Sequence, residues 1–301
     1  MADIPPDQRK LRMKDSIWLL PIAGLLGLGG CNKTNDPEQS THSKWIARIV
    51  SYTPAPGQFV NSEMGTWEAA ESLVGGKKGC LSLGGFGGVV VFEFDHEVRN
   101  IEGPDFVLFG NAFDGSSEPG VVEVSPDGER WYRLSGAADE AEGSVADYEV
   151  TYVRPEQLER AEEVGWTDNR GGSGAIEALD EIHPQSYWPV SAGAERTLTF
   201  RGIRLPDNAV WNGAKYVLGD LGEGYADNWS PDYTAVVGGD PDTKYGNKFD
   251  LDRAVDETGR RVELRTVRQI RVYTAVNQQV EGMLGEVSTE ICGALSLSAG
   301  L

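Results

Sequence analysis

The chain reads as an all-β protein with long loops and a few short helices, and three features lead there. Residues 98–134 hold three short apolar runs, 105–109, 120–125 and 130–134, separated by turns rich in Gly, Pro and Asp. In the second run Val122 and Val124 face one way and Val121, Glu123 and Ser125 the other, the period-two alternation of a half-buried strand. Residues 266–274 (TVRQIRVYT) give another clear strand, with Val267, Ile270 and Val272 available to a core. Glycine occurs 38 times in 301 residues, which suits many tight turns between short strands. At 40% hydrophobic residues the chain can bury a full core, and one large all-β domain fits this length as well as two.

The N-terminus reads as an address. Arg9, Lys10, Arg12 and Lys14 precede an apolar run over 17–28, and Leu28-Gly29-Gly30-Cys31 resembles the lipobox of bacterial lipoproteins, which implies lipidation at Cys31. The run is shorter than the ~20 apolar residues that a membrane span needs, so residues 1–30 are expected to be a signal peptide. Membrane attachment is then through the lipid anchor alone. The residue after Cys31 is Asn32 rather than Asp, which favours the outer membrane in a Gram-negative cell. Residues 31–43 are polar, with no large apolar side chain, and read as a flexible tether to a single domain over 44–301. The formal charge is −20, and removal of residues 1–30 takes away four basic and three acidic residues, leaving −21. Such a chain has no basic surface for phosphate, so nucleic acid is not an expected partner.

Within the domain, residues 44–52 form the first expected strand. Residues 63–73 have helical character, with Trp67, Ala70 and Leu73 on one face. Strands over 78–83 and 89–94 follow, joined by the run Gly84-Gly85-Phe86-Gly87-Gly88 and expected to pair as a hairpin. A Val-rich strand rather than a helix comes after these glycines, which argues against a phosphate cradle. In the central stretch, Pro126-Asp127-Gly128 supplies the turn chemistry for a second hairpin, with Trp131 and Tyr132 resuming the strand. The loop from Gly110 to Pro119 is polar, acidic and Gly-containing, and is the expected place for a site.

The run GPDFVLFGNAF, followed by EPGVVEVS-x-DG-x-x-W, resembles a family of bacterial secreted and cell-surface proteins of mostly unassigned function. Their core is similar to galactose-binding-like jelly rolls, the sandwich of discoidin domains and many carbohydrate-binding modules. The resemblance extends from Pro54 to Ile291. It implies a jelly-roll-like β-sandwich and a binding module.

Beyond the centre, a short strand is expected over 148–152, a short helix over 155–164 opened by Pro155, a long loop over 165–174, a strand over 195–205 and a last strand over 286–297. Cys80 and Cys292 lie in the second and last of the expected strands. In discoidin-like sandwiches the terminal strands run close together, so the two are either a disulfide or a pair of buried free thiols.

Chemistry is sparsely marked. His42 lies in the tether, His96 follows the 89–94 strand beside Asp95, and His183 sits in an Ile-His-Pro-Gln run. No HxxxH, HExxH or CxxC spacing is present, which argues against a transition-metal site. No G-x-S-x-G elbow is present. A hydrolase would need a triad assembled from distant segments or an acid pair among the 44 carboxylates beyond residue 30, and neither is marked by a motif. Calcium is the better-supported chemistry, because loops dense in Asp, Asn and Gly supply the oxygens it takes. Two groups qualify: Asp105, Asn111, Asp114 and Glu118 around the central loop, and Asp227, Asn228, Asp250 and Asp252 in the acidic segment 219–257. The jelly-roll resemblance adds Glu290, in the position of a calcium-binding glutamate of the final strand. For a glycan or another small extracellular ligand, exposed aromatics beside polar groups are needed. Trp166 with Asp168 and Asn169, Tyr225 with Trp229, Tyr187 with Trp188, and Trp211 are the candidates. The expected function is a lipid-anchored, calcium-supported, non-catalytic binding protein. The alternatives are an accessory lipoprotein of a membrane transporter, a structural or adhesive envelope protein, and a hydrolase. An adhesin predicts a broad apolar or aromatic patch, and a small-ligand binder a closed pocket rimmed by Trp166 or Trp229.

Overall fold

A computed structural model describes residues 42–282 and 284–300. The signal and Cys31 lie outside the described residues. Alternating apolar sequence becomes two facing antiparallel layers. The larger has six strands in the order Arg48–Thr53, Val89–Arg99, Thr266–Thr274, Gly120–Ser125, Tyr132–Leu134 and Ala254–Val255. Opposite it Phe106–Phe109 pairs with Asn247–Phe249 on one side and Gly293–Ser296 on the other, and Leu81–Ser82 pairs with Glu290–Ile291.

The inward faces meet in one core. Phe92, Val122, Val124, Ile270 and Val272 come from the six-stranded layer, and Phe106, Leu108, Phe249, Ile291 and Ala294 from the other. Phe106 and Phe249 stack with ring centroids 5.2 Å apart. Burial of each such side chain contributes roughly 1.5–3 kcal/mol. The outward face of the large layer carries the charges that alternation puts there: Glu93 with Arg48 and Gln269, and Glu123 with Arg271. The result is the all-β, jelly-roll-like sandwich that the sequence predicts. Among the described residues it has one α-helix, Trp67–Ser72, and no helix long and apolar enough to cross a membrane.

Several local expectations change. The glycine run does not close a hairpin. Leu81–Ser82 and Val89–Arg99 belong to opposite layers, and the run crosses between them. It does so without room for side chains: a Cβ on Gly88 would fall 1.8 Å from the Leu83 carbonyl oxygen. Trp67 does not share the buried stripe of its helix. At 100° per residue it lies about 110° round from the centre of Ala69, Ala70 and Leu73, and it is 44% exposed. Residues 155–164 form no helix, because other partners take their amides: Gln157 N–H donates to the Glu162 carboxylate and Ala161 N–H to the Pro184 carbonyl. The expected loop at 165–174 is a hairpin of Val164–Asp168 and Ser173–Ile176. It adds to Thr197–Arg204 and Val145–Val153 to make a separate four-stranded sheet with its own small core around Phe86, Tyr152 and Tyr187. The expected last strand is cut into Gly285–Glu286, Glu290–Ile291 and Gly293–Ser296, each with a different partner. Cys80 and Cys292 are joined as a disulfide spanning 212 residues.

Candidate functional site: a buried carboxylate trio beneath an aromatic cleft

The loop between Phe106–Phe109 and Gly120–Ser125 has two ends with different chemistry. It is pinned along its length by backbone hydrogen bonds. Ser117 N–H donates to Leu218 O, Leu218 N–H to Gly115 O, Glu118 N–H to Asp227 O, and Gly120 and Ala226 exchange a pair.

At its base three carboxylates converge, Asp227 and Glu290 buried and Glu118 half-buried. Glu118 comes from the loop, Asp227 from the segment bonded to it, and Glu290 from the short strand opposite Leu81–Ser82. One oxygen of each lies within 4.8 Å of the other two. Asp227 is held with φ 52°, a left-handed conformation that non-glycine residues avoid. Its carboxylate accepts from Asn111 N–H at 2.8 Å and Glu290 N–H at 2.9 Å. Gly110 makes room for it: a Cβ there would sit 2.3 Å from Asp227 Oδ1. Ser288 donates to Glu290 Oε1, while Glu290 Oε2 is buried without a partner. Glu286 lies behind the trio. Its Oε1 accepts from Gln58 N–H at 2.9 Å, and its Oε2 is also buried and unpartnered.

The electrostatics follow from this crowding. Burial first, and then the charge of Asp227, push the Glu118 carboxyl up to about 8. Burial and the charge of Glu290 hold Asp227 well above the carboxylate range, and burial and Glu118 do the same for Glu290. Burial raises Glu286 too, with Glu290 adding to it. Such a cluster must hold protons or a cation. A hard divalent cation fits the all-oxygen donor set of Glu118, Asp227 and Glu290 and the unpartnered Glu290 Oε2.

The nine expected calcium ligands are therefore regrouped. Glu118, Asp227 and Glu290, drawn from both sequence groups and from the resemblance, come together. Asn111 takes part only through its backbone N–H. Its side chain is exposed, as is Asp114 at the loop tip. Asp105, Asp250 and Asp252 lie together elsewhere, and the first two serve the backbone. Asp105 accepts from Ile101 and Leu251 N–H, and Asp250 caps the short helix Leu251–Arg253. Asp252 takes a hydrogen bond from Asn100. Burial, with the charges of Asp250 and Asp252 adding, outweighs the two amides and raises Asp105 to about 6. Asn228 is fully engaged, accepting from Leu221 N–H and donating to Gly222 O.

The tip of the loop forms one wall of an open cleft of about 870 Å³. Phe113, Asp114, Trp211, Lys215, Tyr216 and Leu284 are among the residues that line it. Phe113 is 61% and Trp211 56% exposed. Trp211 and Tyr216 meet edge to face at 5.3 Å across the hairpin Ala209–Trp211 and Tyr216–Leu218, turned at Asn212-Gly213. Trp211 is among the aromatics expected from the sequence. Phe113, Tyr216 and Leu284 are not, although two aromatics flanking an Asn-Gly turn are a readable signal for a displayed pair.

The other expected ligand residues lie elsewhere. Tyr225 is fully buried; its hydroxyl donates to Asp139 and accepts from Ala138 N–H, so it is a core residue. Tyr187 and Trp188 are buried as well. Asp168 organises its hairpin turn, accepting from Arg170 and Gly172 N–H and from the Tyr148 hydroxyl. Asn169 bonds Glu149 N–H and Asp147 O on the rim of a cleft of about 670 Å³ between the two sheets. That cleft is lined by ion pairs already formed, Arg271 with Glu123 and Arg201 with Glu149. Trp166 is half-buried at the edge of a cavity of only about 170 Å³, with Glu286 in its wall. Trp229 is half-buried against Tyr233. His183 packs edge-on against Phe59. No protein-family model matches the chain, and no curated protein matches it.

Proposed function

We propose that this chain is a calcium-supported, non-catalytic binding protein of the cell envelope, anchored through lipid at Cys31, that holds a glycan in the cleft of Phe113, Trp211 and Tyr216. One observation carries the reading: a single loop supplies Glu118 to the buried carboxylate trio at its base and Phe113 to the aromatic cleft at its tip. Glu118, Asp227 and Glu290 are the residues that would hold the ion, and calcium there would neutralise charges that otherwise push the loop base apart. Rigidity gained at the base passes to the tip through the Ser117–Leu218 and Leu218–Gly115 hydrogen bonds. The exposed faces of Trp211 and Phe113 suit stacking on sugar rings, and Asp114, Asn212 and Lys215 offer hydrogen bonds to hydroxyls.

The openness of this cleft favours a second reading, since an adhesive contact with another envelope protein predicts an exposed aromatic surface rather than a closed pocket. Binding of a glycan panel, followed by Trp fluorescence with excess calcium and with chelator, separates the two. A glycan that binds in calcium, weakens by about tenfold or more in chelator, and is lost on Trp211→Ala supports the first reading. If no glycan binds while Trp211→Ala abolishes retention on envelope protein, the adhesive reading replaces it.

A further inference from the structure

A second cluster of ligating atoms shares no residue with the carboxylate trio, and the absence of a metal-binding spacing in the sequence hides it. The fold brings His42 against Asp95 and His96, more than fifty residues away in the chain. His96 Nδ1 lies 2.8 Å and His42 Nδ1 3.4 Å from the same oxygen, Asp95 Oδ1. One ligand atom from each residue falls within 4.8 Å of the other two, and the imidazole rings are 5.2 Å apart. Tetrahedral bonds of about 2.0 Å set ligand atoms roughly 3.3 Å apart; the His42–Asp95 separation of 3.4 Å is close to that value, and the 2.8 Å His96–Asp95 hydrogen bond would open slightly to admit a metal.

The side chains are also held for the purpose. His96 is mostly buried, and its Nε2 is bonded to Ser296 Oγ at 2.9 Å. The carboxylate can only accept, so in the metal-free protein Nδ1 donates to Asp95 Oδ1 and Nε2 accepts from the Ser296 hydroxyl; a metal at Nδ1 would take the place of that proton, with Nε2 then donating to Ser296. Ser296 is in turn linked to Ser298, which accepts from Arg99 N–H. Asp95 uses its other oxygen, Oδ2, to accept from Ser43 N–H at 2.9 Å. Outer contacts of this kind fix the tautomer and orientation of metal-binding histidines. His42 and Asp95 remain open to solvent on one side, which leaves a coordination position free.

We propose that His42, Asp95 and His96 form a site for a divalent first-row transition metal such as zinc. Two imidazoles and one carboxylate suit that class, and distinguish it from the hard cation expected at the all-oxygen trio. Two ligands come from the strand Val89–Arg99 and the third from the segment ahead of Arg48–Thr53, so a bound metal clamps that segment to the large layer.

The test is zinc titration of the untagged full chain in detergent, read by calorimetry, with cobalt substitution read by visible d–d absorption. The parent binds zinc, His42→Ala and His96→Ala each weaken it by at least about tenfold, and cobalt gives an absorption that the double variant loses. His183→Ala is the control and binds as the parent does, and excess calcium does not displace the metal. His42 is exposed, so its variant remains informative should His96→Ala fold poorly. Zinc binding that is unchanged in the double variant, or no binding at micromolar metal, overturns the proposal.

Discussion

Glu290 is the residue on which the buried site turns, because it touches Asp227 through its backbone and Glu118 through its charge. A carboxyl raised from 4.5 to about 8, as Glu118 is, keeps a proton in the folded state that the unfolded chain has already lost. Stability is then fully present below the unfolded value and falls as pH rises through the folded one. In chelator the melting temperature should therefore decline between about pH 5 and pH 8, and excess calcium should remove that decline; thermal unfolding across pH in both conditions checks it. Glu290→Gln should cross over. It relieves repulsion in chelator, by on the order of 1–2 kcal/mol, and forfeits the stabilisation by calcium. A melting temperature lowered equally in both conditions would show that Glu290 acts only by packing.

At the scale of elements, the hairpin Val164–Asp168 with Ser173–Ile176 separates a structural acid from a binding one. Asp168 accepts from two amides and a hydroxyl in its turn, so Asp168→Ala should destabilise by about 1–3 kcal/mol in denaturant melts and leave glycan affinity untouched. Trp211→Ala on the Ala209–Trp211 strand should do the reverse, weakening binding by about tenfold with little change in stability, because its ring is already largely in water. These elements also mark what a sequence discloses. Thr266–Thr274 and Gly120–Ser125 were legible because each buries apolar side chains inside a sheet with partners on both edges. The 164–176 hairpin was not, since Thr167, Asp168, Asn169 and Arg170 carry no apolar alternation and its stability comes from Tyr148 and Glu149 on the neighbouring strand. The acids of the site were visible one by one. Their grouping was not, because Glu118 and Glu290 approach only when the closing strands cross to the second layer. Nor did spacing rules reveal His42 beside His96, which belong to different segments.

For the whole molecule, closure depends on segments distant in sequence. Gly293–Ser296 completes the sheet around Phe106–Phe109, Glu290–Ile291 covers Leu81–Ser82, and Cys292 is bonded to Cys80. Replacing both cysteines by alanine should lower stability by about 2–5 kcal/mol, measured by chemical denaturation of oxidised parent and variant. It should also weaken calcium binding, because Glu290 stands two residues from Cys292. For a polypeptide that emerges amino end first, this arrangement sets a timetable. The strand Phe106–Phe109 waits with both edges bare until Asn247–Phe249 and then Gly293–Ser296 have followed it. The second layer is therefore among the last parts of the fold to be completed, since both partners of its central strand come from the final quarter of the chain.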